Sequence, residues 1–261
     1  MKKKNPAVIW IILLFVLIAV ILIPLHKKPP VKPVKPVKKE AAILGRIAIV
    51  IDDWAYSLNN LSIAEKIKQP LTCAVLPNLK YSTSVMQKLD DSGFEIILHL
   101  PLEPKEKDKL EADTVTAAMD AGQIRKIFEK DLASVNLAKG VSNHMGSRIT
   151  EDEKIAGIVM AEVKKHKLYF LDSFVTPKSV CPDLARKIKI RFAKRDLFLD
   201  NQNDPAYIKA QLVKLKNLAR KQGFAIGIGH DRKNTLLVLK EMLPQLERQG
   251  YKFVFVSELA Q

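Results

Sequence analysis

The chain has 261 residues, enough for one large domain with additions, and its 48% hydrophobic content is that of a globular protein. Its formal charge of +15 is concentrated at one end: nine of the 43 basic residues precede residue 45, against one of the 28 acidic ones, which leaves +7 for the rest. That mild excess, without interleaved aromatic and basic side chains, argues against nucleic acid as a partner, and two distant cysteines, Cys73 and Cys181, exclude a disulfide framework.

Three lysines precede an unbroken apolar run over residues 7–23. As a helix it reaches roughly 26 Å, near the lower limit for spanning a bilayer. No small-residue cleavage site follows, so an uncleaved signal-anchor is preferred to a signal peptide. Residues 1–25 are therefore expected to form one N-terminal transmembrane helix, anchoring the chain to the membrane. With the N-terminus inside, the rest would lie on the extracytoplasmic (periplasmic or cell-surface) side. Residues 26–44, rich in Lys, Pro and Val, cannot build a core and read as an extended linker.

From residue 45 to 261 strand-like and helical patterns alternate. The first, Ile47-Ala-Ile-Val-Ile-Asp-Asp53, is an apolar run ending in two carboxylates, which suits a strand buried on both faces. Similar runs follow at 71–76, 94–98, 168–171, 224–228 and 253–256, with weaker ones near 140–142 and 190–193. Apolar spacings of three and four predict helices over 82–91, 122–137 and 205–222. Thr150-Glu-Asp-Glu153 reads as a capping box, and Thr176-Pro177 and Asp204-Pro205 as helix starts. Seven or eight such β–α pairs predict an α/β parallel barrel or wound sheet.

Five groups sit at predicted strand ends: Asp52, Asp53, His99, His144 and His230. In a parallel barrel all would meet at one mouth, where α/β folds collect their chemistry. Carboxylate with imidazole suits zinc or another divalent ion with an open position. A spare carboxylate and a separate imidazole could then move protons, which together describes metal-assisted acyl hydrolysis. The other histidines, His26 in the linker and His166 at a Lys-rich helix end, read as solvated.

The order of these motifs resembles the polysaccharide deacetylase superfamily (carbohydrate esterase family 4), and its divergent branch in particular. The resemblance rests on Ile51-Asp-Asp-Trp54, Leu71-Thr-Cys-Ala-Val-Leu-Pro77, Gly93-Phe-Glu-Ile-Ile-Leu-His99 and Ile228-Gly-His-Asp231. For the divergent branch it rests on His99-Leu-Pro-Leu-Glu-Pro104, Asn143-His-Met-Gly-Ser-Arg148 and Phe198-Leu-Asp-Asn201. It implies a distorted (β/α) barrel that removes acetyl groups from an envelope polysaccharide with a divalent metal, zinc above all. It implies Asp52 as base, Asp53 and His99 as metal ligands, and His230 as general acid. Two positions depart from the pattern. Glu103 stands where the second metal histidine is expected, and Ser142-Asn-His-Met-Gly146 replaces the segment whose arginine pairs with the base. His144 is the preferred third ligand, Glu103 the alternative, and Arg148 the candidate to replace the arginine. Trp54 and Tyr56 are candidates to stack on sugar, and Asp172 and Asp200 to bind hydroxyls or orient a ligand histidine. These departures keep a second reading open: an inactive carbohydrate-binding or envelope scaffold protein that retains the cleft.

Overall fold

The computed structural model describes residues 43–261 together with Trp10. The expected anchor and most of the linker lie outside the described residues. Among those described, no helix is long and apolar enough to cross a membrane.

Nine parallel strands form one sheet: β1 (Gly45–Trp54), β2 (Thr72–Val75), β3 (Glu95–Leu102), β4 (Gly140–Met145), β5 (Tyr169–Asp172), β6 (Phe192–Lys194), β7 (Leu197–Phe198), β8 (Phe224–His230) and β9 (Tyr251–Phe253). Their order is β6-β5-β4-β3-β2-β1-β8-β7, with β9 beside the first residues of β1. The edge strands β6 and β7 belong to one segment, 192–198. Its first part pairs with β5 and its second with β8, with Arg195 and Asp196 at the changeover. The Asp196 carboxylate accepts the Ile226 N–H at 2.7 Å there. The sheet therefore curls until its edges are joined by a single stretch of chain.

Side chains alternate between two cores, as the strand repeat of two requires. Ile47, Ile49 and Ile51 face the outer helical layer, whereas Ala48 and Val50 face inward with Ala74, Ile97, Leu171, Ile226 and Ile228. The inner set is the floor of the curled sheet, and Asp52 continues it upward.

The outer layer comprises α1 (Leu61–Ala64), α2 (Ser82–Asp91), α3 (Ala121–Ser134), α4 (Glu153–Lys165), α5 (Cys181–Ile188), α6 (Pro205–Gln222) and α7 (Lys233–Arg248). The predicted bounds of α2 and α6 hold, and Asp204 caps α6 by accepting the Tyr207 N–H. Two predicted starts do not. Thr150 lies in a 3-10 turn and donates to the Gly146 carbonyl, leaving Asp152 to cap α4. Thr176 donates to Glu151, and α5 begins later, at Cys181-Pro182. The barrel is less regular than the even β–α alternation predicts, because no helix separates β6 from β7.

Candidate active site

The C-terminal strand ends gather Asp52, Asp53, His99, His144 and His230 around a cleft of about 270 Å³. The inward parity of each strand explains four of them. Asp52 follows Val50, His99 follows Ile97, His144 follows Ser142, and His230 follows Ile228, each two residues along the inner face. Asp53 breaks the rule. By alternation it would turn toward the helices, but β1 bulges there: its pairing with β2 advances three residues, from Ile51 to Trp54, while β2 advances two. Asp53 takes a left-handed backbone (φ 64°), as does Ala55 (φ 106°). The bulge thus aims two consecutive carboxylates into one cleft and sends Trp54 to the outer core.

Three donor atoms converge. His144 Nδ1 lies 3.0 Å from Asp53 Oδ1, His99 Nε2 lies 3.3 Å from the same oxygen, and the two nitrogens are 3.3 Å apart. A tetrahedral ion with bonds of about 2.0–2.1 Å separates its ligands by roughly 3.3–3.4 Å, so this triangle has the right size and donor chemistry for zinc. His99 Nδ1 lies 2.8 Å from Ser142 Oγ on the neighbouring strand, a contact that orients the ring with Nε2 toward the triangle. Burial alone would raise the Asp53 pKa, but hydrogen bonds from His144 and His99 hold it well below the usual carboxylate range.

Asp52 differs. It is 2% exposed, its Oδ1 has no hydrogen-bond partner, and Oδ2 lies 3.7 Å from His99 Nε2. Burial pushes its pKa up, and the surrounding imidazoles only partly offset this. On the far side His230 Nδ1 donates to Asp200 Oδ1 at 2.7 Å, while Asp200 Oδ2 accepts from the His230 N–H and the Thr235 hydroxyl. Burial disfavours the imidazolium, but the Asp200 carboxylate outweighs it and raises the His230 pKa. The same contacts lower the Asp200 pKa against its own burial.

Several expected residues lie elsewhere. Glu103 is committed to the Ala117 N–H (2.7 Å) and to Arg148 (2.8 Å), so neither reaches the cluster: Glu103 is no alternative ligand there and Arg148 does not pair with Asp52. Trp54 is fully buried and cannot stack on sugar. Asp172 faces the helical side and accepts from the Phe174 N–H and the Ser179 hydroxyl, which removes it from substrate contact. Asp200 is buried behind His230 and orients it instead of touching substrate.

Two contributors, Ser142 and Arg195, were missed. Ser142 occupies an inward position on β4 beside His99, and alternation along that strand would have found it. Ser173, next to Asp172, lines the cleft. Arg195 is the second. It donates to the carbonyls of Ser173 (2.6 Å) and Phe174 (2.7 Å) and stacks 3.6 Å from the centre of the Phe198 ring, which in turn stacks on His230. No motif signals it, because the changeover between β6 and β7 puts it there.

Comparison with known proteins bears on the family and the fold. The sequence model described as divergent polysaccharide deacetylase matches residues 49–260. The Escherichia coli protein YibQ is 33% identical over 204 residues, covering 78% of this chain and 64% of the relative, so the match spans under two thirds of that protein. The crystal structure of ATU2773 from Agrobacterium tumefaciens superposes with a TM-score of 0.79 at 25% identity, over 85% of this chain and 91% of that one. BA3943 of Bacillus anthracis, a CE4 family pseudoenzyme, superposes with a TM-score of 0.51 at 14% identity, over 82% and 65%, and shares the fold. With its curled parallel sheet and a family match over most of its length, the chain belongs to the divergent polysaccharide deacetylase family.

Proposed function

We propose that the protein is a metal-dependent hydrolase that removes acetyl groups from an envelope polysaccharide. The observation that carries this is the Asp53–His99–His144 triangle, with an unpaired buried carboxylate on one side and a carboxylate-held imidazole on the other. Asp53, His99 and His144 would hold a divalent ion, zinc fitting best. Such an ion supplies Lewis acidity, polarising an acyl oxygen and acidifying water. Asp52, buried beside the triangle with one oxygen free of hydrogen bonds, takes the proton of the attacking water. His230, its Nδ1–H fixed on Asp200, carries a proton on the ring edge toward the cleft and gives it to the departing amine or alcohol. Placement on the extracytoplasmic face of a membrane is part of the proposal and rests on the apolar run at residues 7–23 alone.

A second reading, a carbohydrate-binding protein without turnover, is favoured by one feature: the Asp52 carboxylate has no direct cationic hydrogen-bond partner. Metal analysis and activity on acetylated glycans separate the two. The expected outcome is about one divalent ion per wild-type chain, lost in His99→Ala and in His144→Ala. Asp52→Asn is expected to keep the ion and lose turnover. Bound metal with no hydrolysis of any acetylated glycan by the wild type supports the second reading, and no metal under any loading condition sinks the first.

A further inference from the structure

The cleft at Asp52 is small. Its roughly 270 Å³ lies below the range of about 300–1,000 Å³ that encloses a drug-sized ligand. It has room for the reacting unit of a polymer and little more, so the rest of the chain must be held on the rim. Four of the large apolar side chains that remain exposed lie on loops that leave β1, β3 and β5 at the cleft end of the sheet. They are Tyr56, Leu58, Leu110 and Val175, and Val175 lines the cleft itself.

Tyr56 is the anchor of this group. The left-handed turn at Asp53 and Ala55 drives Trp54 into the core and leaves the next aromatic residue outside, 52% exposed. An alanine at φ 106° is costly, on the order of 1–3 kcal/mol, and such strain persists where the surrounding structure enforces it. The phenol is pinned across 55 residues: its hydroxyl donates to Glu111 Oε1 at 2.5 Å, tying the loop after β1 to the long loop after β3. Tyr56 follows Asp53 by only three positions, on the loop that leaves β1 at the cleft end, which keeps this phenol near the candidate metal triangle. A fixed, half-exposed aromatic face beside a carboxylate matches the chemistry of a pyranose, whose C–H face packs on a ring and whose peripheral hydroxyls donate to an acceptor.

Resting on the deacetylase reading, we propose that Tyr56 and Glu111 form a sugar subsite outside the cleft. It stacks and hydrogen-bonds a residue of a glycan chain adjacent to the acetylated unit. The protein therefore recognises an oligomer of several sugars and not an isolated acetylated monosaccharide. Tyr56 supplies the stacking face, Glu111 accepts a sugar hydroxyl, and Leu58 and Leu110 extend the apolar rim.

The test is the affinity of the full-length chain for penta-N-acetylchitopentaose and acetylated xylopentaose, each compared with its acetylated monosaccharide, by calorimetry or ligand-observed NMR. The wild type is expected to bind at least one pentasaccharide at least about tenfold more tightly than its monosaccharide. Tyr56→Ala is expected to remove that advantage, a loss of the size seen on truncating an aromatic anchor. Tyr56→Phe, which keeps the ring but not the pin, is expected to retain most of it, and Glu111→Gln to lose part. Equal affinity for pentamer and monomer in the wild type, binding of neither, or an unchanged length preference in Tyr56→Ala overturns the subsite. Metal content is read on the same samples. A pentamer preference carried by Tyr56 in a chain that holds no metal would leave the subsite standing and remove the hydrolase reading. Metal with no length preference would do the reverse.

Discussion

At the scale of single residues, the candidate site is a contrast between two adjacent carboxylates given opposite environments. Asp53 is surrounded by imidazole nitrogens and held ionised, while Asp52 is walled in and pushed toward protonation. The sequence shows that both are present and that histidines follow several apolar runs, because apolar runs broken by polar residues are visible without a structure. It does not show which neighbours each side chain meets. Glu103 lies four residues beyond His99 and looks available as a ligand, yet its carboxylate closes the loop after β3 by binding Ala117 and Arg148. Glu103→Gln is therefore expected to leave metal stoichiometry unchanged. Ser142 carries no signature of its own, but its hydroxyl holds the His99 ring with Nε2 toward Asp53 and His144. Ser142→Ala is expected to weaken metal affinity by about 10–100-fold, the usual cost of losing such a support, as measured by competition with a chelating dye.

At the scale of elements, the strands were legible because they are buried on both faces and read as continuous Ile, Val and Leu. Their ends were less so. His99 and His144 lie within β3 and β4, not after them, since polar residues that face a cleft interrupt the apolar run without ending the strand. The two-residue β7 was missed because it is too short to show a pattern. Strand parity would have improved the reading: along β5, Leu171 faces the inner core, so Asp172 must face the helices. Parity fails at the β1 bulge, where one extra residue puts both carboxylates on the same side. At the exit of β4, Gly146 has φ +88°, and a Cβ there would meet Leu102 Cβ at 2.8 Å. Gly146→Ala is expected to destabilise the fold by about 1–3 kcal/mol, read as a shift in the urea midpoint.

At the scale of the whole molecule, stability depends on buried ionisable groups away from the cleft. Asp131 on α3 is fully buried, and burial raises its pKa to about 7 despite the hydrogen bond from Asn78. The unfolded chain releases this proton near the ordinary value of 3.8. Between about pH 4 and pH 7 the folded form therefore holds more protons, and stability falls as pH rises through that window, by up to about 4 kcal/mol from this group. Asp131→Asn is expected to flatten that slope, seen as a smaller difference between urea midpoints at pH 5 and pH 8. The sheet order has a further consequence during synthesis. Strand β1 lies between β2 and β8, and Arg46 pairs beside Phe224, so its second neighbour is encoded nearly 180 residues later. At roughly 5–20 residues per second, the ribosome needs about 10–40 s to deliver that partner. Throughout that interval this largely apolar strand, already carrying both carboxylates, offers an open edge to any other nascent polypeptide or to a chaperone.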